Sequence, residues 1–285
     1  MPFPCRTLCV LAWMLPLLAG PARADSLFLT LGDALDNRVA EMVAHFDPLP
    51  LIGPARHHPT RVTDQATFLA LVGSLGQGDV LYLNTHSNTM CVGLSENETL
   101  TFDAIGCALR DGPADSRRVP PRLLAVVVDG CMANAVHGDF ARVSQAFNGE
   151  LVIGWATVTN SIAHISAMYD ILERLFVEGL PLARTPSDRT PALVGRPYLY
   201  APTAYYGETM AAVATHLAQR LAAGAEPDLG RDTYSAEACG ADKPDDDEQC
   251  RAFFEENPYF CVIPPMNEET DESAYRTMFD RCCVY

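Results

Sequence analysis

Leu81-Tyr82-Leu83-Asn84-Thr85-His86-Ser87 and Leu124-Ala125-Val126-Val127-Val128-Asp129-Gly130-Cys131 decide the fold of this chain. Each is a short apolar run, the second rich in β-branched valine, that stops at a chemically reactive side chain. Such a run bounded by polar residues reads as a strand buried on both faces, the pattern of a parallel sheet. In an open parallel sheet the ligand crevice lies outside the carboxyl ends of the strands. One strand therefore delivers a histidine to that edge and another delivers a cysteine. A thiol becomes a thiolate near neutral pH only beside a base or a cation, and histidine is the usual supplier. Together the two stretches predict a cysteine nucleophile, Cys131, with His86 as its acid–base partner.

The neighbouring segments alternate in the same way. Residues 26–31 read as the first strand, and residues 33–46 carry Leu35, Val39, Met42, Val43 and Phe46 at helical spacing. Pro48 and Pro50 bound a second short strand or turn. An amphipathic helix is expected over 63–75 with Thr63 as N-cap, and Gly76-Gln77-Gly78 turns the chain into the His86 strand. Then come a helix over 102–109, a polar loop over 111–118, the Cys131 strand, a helix over 139–147, a strand over 151–155 and a helix over 163–179. This alternation predicts an α/β domain over residues 25–225, a three-layer α/β/α sandwich with a mainly parallel sheet. Residues 181–202 are Pro-rich, and 206–223 is one more helix. From 226 to 285 the chain is acidic and Cys-rich around Asp245-Asp246-Asp247-Glu248, a disulfide-stapled appendage that is either a subdomain or a strap over the main domain.

The first 24 residues read as a secretory signal. Arg6 gives the charged start, residues 10–19 the apolar core, and Ala22-Arg23-Ala24 the small-residue cleavage pattern. That core is too short for a membrane span, and Pro21 stands where a lipoprotein signal needs cysteine. A soluble mature chain, secreted or periplasmic and starting near Asp25, is expected, with no stable membrane insertion. The formal charge is −16, and loss of Arg6 and Arg23 makes it more negative by two. This acidity argues against nucleic acid, whose backbone is bound through Lys and Arg. It suits a basic substrate or simply a solvated acidic surface.

Of ten cysteines, Cys5 and Cys9 leave with the leader. An oxidising compartment invites bridges among the others. The disulfide candidates are Cys91, Cys107, Cys239, Cys250, Cys261, Cys282 and Cys283, so most bridges are expected in the appendage. Cys282 and Cys283 read as two bridge ends bonded elsewhere, because adjacent cysteines bond to each other only with strain. A free Cys131 leaves an odd number.

A His at one strand end followed by a Cys at the next resembles the caspase-type cysteine peptidases of clan CD, which include caspases, metacaspases, legumain, gingipains, separase and the CHAT-domain proteases. Gly93-Leu94 followed by Leu100-Thr101-Phe102-Asp103-Ala104-Ile105 is similar to the CHAT-type hairpin and helix, and Leu151-Val152-Ile153-Gly154-Trp155 with its following helix to the next unit. The resemblance covers residues 26–180, and the His–Cys separation is similar to the roughly 50 residues of the caspase order. Two positions depart from the family. Ser87 stands where Gly usually follows the His, and Asp129-Gly130-Cys131-Met132-Ala133-Asn134 where CHAT proteins commonly read Ser-Ala-Cys.

The resemblance implies acyl transfer: Cys131 attacks a scissile carbonyl, and His86 protonates the leaving amine and later activates water. The backbone around Cys131, Gly130 and Ser87 would stabilise the oxyanion. Asp129 lies on the same side as Cys131 by strand alternation. In metacaspases an Asp here reads a basic P1 side chain, a geometry suited to Arg; a turn-forming Asp is the alternative. Trp155, Thr157 and Asn160 stand where the family builds a substrate-pocket wall, with a core aromatic as the plainer reading of Trp155. Arg122 and Arg117-Arg118 sit at the opposite, amino end of the Cys131 strand.

No other motif carries chemistry. His57-His58 lacks a third metal ligand and reads as a surface loop. Gly73, Gly76 and Gly78 do not match a dinucleotide fingerprint. Asn97-Glu98-Thr99 is a glycosylation sequon only in a glycosylating host, and His137 reads as structural. No cofactor is expected. The sequence therefore supports a secreted caspase-like cysteine endopeptidase acting on protein or peptide substrates. Two alternatives stay open: a non-catalytic caspase-fold domain that binds a partner, with Cys131 buried or in a disulfide, and a cysteine hydrolase or transpeptidase acting on non-protein amides.

Overall fold

The computed structural model describes residues 25–240 apart from 33, 35–38, 41–43, 45–54, 59, 88–90, 96–97, 112–118, 132–136, 158, 160–162, 187–193 and 225–227. Six strands form one sheet: β1 (Ser26–Thr30), β2 (Ala55–His57), β3 (Val80–Asn84), β6 (Leu123–Asp129), β7 (Gly149–Trp155) and β8 (Pro197–Tyr200). Their order is β2-β1-β3-β6-β7-β8. All neighbours run parallel except β7 and β8, which are antiparallel. A two-stranded antiparallel hairpin, β4 (Cys91–Ser95) and β5 (Glu98–Thr101), stands apart.

Every residue of β1, β3, β6 and β7 is buried, as their unbroken apolar runs require. Alternate side chains feed two cores. Tyr82, Val127, Ile153 and Trp155 join Ile165 and Met168 of helix α4 (Ala163–Leu172) and Val213 and Leu217 of α5 (Met210–Ala222). Leu81, Leu83, Val126, Val128 and Val152 join Phe68 of α1 (Gln65–Val72), Phe102 and Ile105 of α2 (Phe102–Arg110), and Phe140 and Val143 of α3 (His137–Phe147). The protein is thus a mixed α/β domain with a mostly parallel central sheet, compatible with an α/β sandwich. Among the described residues no helix is long and apolar enough to cross a membrane.

Four local expectations change. The N-cap of α1 is Asp64, whose Oδ1 accepts from Thr67 N–H at 2.8 Å, not Thr63. His57 is not in a surface loop: it lies in β2 and pairs with Phe28. Only three residues long, β2 shows no periodicity. The Pro-rich stretch also holds a strand, β8, which pairs Pro197 with Trp155. Pro opens it on the sheet edge, where a missing N–H costs no ladder bond. The last long helix starts at Met210, capped by Thr209. The helix expected over 33–46 lies largely outside the described residues.

Residues 228–240 pack against α2. Asp228 takes a bidentate contact from the buried Arg110 guanidinium of α2, with Nε at 2.7 Å and Nη2 at 2.5 Å. Arg110 also donates to the carbonyls of Gly106, Gln145 and Ala146 and lies over the Tyr234 ring. Tyr234 donates to Asp103, and its ring occupies the space a side chain on Gly106 would need, 2.6 Å from an added Cβ. A disulfide, Cys107–Cys239, closes this strap. Cys91 is a buried thiol rather than a bridge end; Cys250, Cys261, Cys282 and Cys283 lie outside the described residues.

Reduction of Cys107–Cys239 is expected to cost about 2–4 kcal/mol and to expose residues 228–240 to protease before the sheet yields. Limited proteolysis with and without reductant checks this, and equal resistance in both contradicts it.

Candidate active site

Parallel pairing of β3 with β6 places Asn84 opposite Asp129. His86 and Cys131 each lie two residues beyond that pair, at the carboxyl edge of adjacent strands. The pairing continues past the strand ends. Thr85 N–H donates to the Asp129 carbonyl at 3.2 Å, and Ser87 Oγ donates to the Cys131 carbonyl at 2.7 Å. Gly130 lies where the two segments converge: a Cβ there would stand 2.0 Å from the Thr85 carbonyl oxygen and 2.6 Å from Ser87 Oγ. Gly130 is therefore required by space. The His86 carbonyl accepts from Gly93 N–H at 2.7 Å and from Thr85 Oγ1 at 2.9 Å, so the hairpin holds it from the other side. Ser87 ties the two strand ends together, a contact a glycine there has no hydroxyl to make.

His86 is half-buried, whereas Cys131 is only 5% exposed. Its Sγ accepts from Thr159 N–H at 3.3 Å and donates to the Thr159 carbonyl at 3.3 Å, with Thr159 Oγ1 at 3.4 Å. Burial pushes the thiol above its ordinary value. The Thr159 side-chain and backbone contacts pull it down without outweighing burial, and the charge of Asp129 pushes it further up. The resting side chain is a neutral thiol. Alkylation of Cys131 in the folded protein is accordingly expected to be slow at neutral pH and to rise only above the ordinary cysteine range. A pH–rate profile of iodoacetamide labelling, read by peptide mass mapping, checks this; a plateau already reached near pH 6 contradicts it.

Asp129 is fully buried, and protein groups engage its carboxylate from several sides. Tyr82 OH donates to Oδ2 at 2.5 Å; Trp155 Nε1 donates to Oδ1 at 2.7 Å, and His164 Nδ1 lies 2.9 Å from the same oxygen. Burial and the Asp129 charge keep Tyr82 protonated far into alkaline pH. For His164, burial opposes the charged form, but the hydrogen bond to Asp129 and its charge outweigh that, so His164 titrates above its ordinary value. Asp129 is thus not a turn residue bonded to its own backbone; its carboxylate is engaged by Tyr82, Trp155 and His164.

Trp155 is a fully buried core aromatic, and its indole N–H donates to Asp129. Thr157 is exposed, and its Oγ1 accepts from Arg196 N–H at 2.8 Å; Asn160 lies outside the described residues. Arg122 is bound to Glu150 and Asn148 at the amino end of β6. His164 and Thr159 escaped sequence reasoning. Neither belongs to a motif, and only their place just after β7, the strand beside β6, points to them.

Among the described residues no group of three His, Cys, Asp or Glu side chains is placed to hold a metal ion. No model of a known protein family matches the chain, and no curated protein matches it either.

Proposed function

We propose that the protein is a caspase-like cysteine endopeptidase, secreted or periplasmic once residues 1–24 are removed, in which His86 and Cys131 form the catalytic dyad. The observation that carries this reading is the register: His86 and Cys131 lie the same two residues past a paired position on adjacent parallel strands, where open α/β sheets hold their ligands. The nucleophile starts as a neutral thiol, so His86 acts as general base during attack rather than as half of a preformed ion pair. The Cys131 Sγ–carbonyl bond forms as its proton passes to the imidazole. The C–N bond then breaks as His86 returns that proton to the leaving amine, and water attacks the thioester with His86 again as base. The Cys131 N–H and that of Ser87 or a neighbour stabilise the oxyanion.

Substrate must displace Thr159 from Sγ, so Thr159 both covers the thiol and borders the pocket. In this reading Asp129 buttresses that pocket through Trp155 and His164 instead of receiving a P1 guanidinium. Labelling of the folded protein with a panel of peptidyl electrophiles varied at P1 tests the proposal. Covalent modification confined to Cys131, lost in His86→Ala, is expected.

A second reading is favoured by the 5% exposure of Cys131 and its raised titration: a non-catalytic domain that binds a partner. In that case the panel leaves Cys131 unmodified while small alkylators reach it only in denaturant.

A further inference from the structure

At the opposite edge of the sheet, Asp25 N–H donates to Asp79 Oδ1 at 2.8 Å. The Asp79 side chain is only 9% exposed, and its Oδ2 accepts from Gly76 N–H at 2.7 Å. The Asp25 carbonyl accepts from Val80 N–H at 2.9 Å, so Asp25 is already aligned with β3 before the first residue of β1. The other charged groups described around it are Arg56 of β2, with Nη2 3.9 Å from Asp79 and Nε 3.7 Å from the Asp25 carboxylate. Residue 25 is also the residue that follows Ala22-Arg23-Ala24. A sequence pattern and a buried carboxylate thus converge on one peptide bond, that between Ala24 and Asp25.

We propose that cleavage of the Ala24–Asp25 bond creates an α-ammonium at Asp25 that pairs with the Asp79 carboxylate, so that leader removal itself locks the amino end of β1 into the sheet. The hydrolysis consumes one water, leaves a carboxylate on Ala24, and turns an amide donor into a cation on the same nitrogen. A charge-assisted hydrogen bond is roughly twice as strong as a neutral one, and Arg56 Nη2 approaches Asp79 at Oδ2, 3.9 Å away and beyond hydrogen-bonding distance, so Oδ1 is left to the new amine. The proposal rests on the leader reading of residues 1–24 and is independent of the cysteine chemistry.

The pairing raises the amine above its unfolded value of about 7.7–8.0. The stabilisation is therefore complete below that value and is lost as pH rises through the higher folded value.

The test uses the chain exported with its own leader. Mass mapping of its first peptide is expected to show Asp25 as the first residue; any other start overturns the leader reading and with it the claim that leader removal forms this pair. The pairing is tested separately on chains of defined start, one beginning at Asp25 and one with Gly-Ser before it. At pH 6.5 the first is expected to unfold about 3–6 °C higher, with the gap closing near pH 11 and in Asp79→Asn. Equal unfolding temperatures at pH 6.5 overturn the pairing. Because Asp79→Asn also removes the Gly76 contact, a second measurement needs no variant. Acylation of the α-amine in the unsubstituted folded chain is expected to be at least tenfold slower than after denaturation, and an equal rate overturns the pairing.

Discussion

Cys131→Ala is expected to reduce turnover of any cleaved peptide by at least about a thousandfold, and His86→Ala by nearly as much. The two losses should not add, because a nucleophile and its base act as one unit. With Cys131 a neutral thiol at rest, removing His86 takes away the base this reading assigns to its proton, whereas a preformed thiolate would keep part of its reactivity. The double variant should therefore resemble Cys131→Ala alone. Stability should change little in Cys131→Ala: the thiol is small, and Thr159 N–H is the main donor left without its acceptor. Denaturant unfolding next to single-turnover kinetics separates the two effects. Wild-type turnover in Cys131→Ala would falsify the dyad.

Gly130→Ala attacks the same site through the backbone. An added methyl 2.0 Å from the Thr85 carbonyl oxygen cannot be absorbed by a rotamer change, since the neighbour is main chain. The strand ends must part, breaking the Ser87–Cys131 contact. Activity should fall together with thermal stability, by about 1–3 kcal/mol or more. An alanine variant that is both fully active and fully stable would show that the strand ends can separate without consequence.

The apolar runs of β3, β6 and β7 were legible in the sequence because strands buried on both faces carry almost nothing else, and the reactive residues after them marked the carboxyl edge. The short edge strands β2 and β8 were not, since neither has room for a pattern and β8 opens on a proline. For residues 228–240 the sequence offered a strap as one of two readings, but what anchors it was hidden for another reason. Its anchors, Arg110 with Asp228 and Cys107 with Cys239, are joined across more than a hundred residues and carry no local signal. Site chemistry divides the same way. Cys131 and His86 stand at strand ends, where position speaks, while the partners of Asp129 come from three different elements.

Those partners set the last expectation. Asp129→Ala should cost about 3–5 kcal/mol, because it strands a tyrosine hydroxyl, an indole N–H and an imidazole inside the protein. Asp129→Asn keeps the volume but loses the charge that raises the titration of His164. Part of the cost should then depend on pH. The folded value of His164 lies above its unfolded one, so its pairing stabilises the protein fully below the unfolded value of about 6.5 and ceases to do so as pH rises through the folded value. The gap between wild type and His164→Gln should accordingly be widest at about pH 5.5 and narrow toward pH 9. A double-mutant cycle of Asp129→Asn with His164→Gln should return a coupling of about 1–3 kcal/mol at the lower pH and much less at the higher. Specificity supplies an independent readout. If Asp129 supports the pocket from behind, Asp129→Asn lowers labelling by basic and apolar P1 probes alike. A selective loss for Arg probes would instead mean that substrate displaces His164 and meets the carboxylate directly.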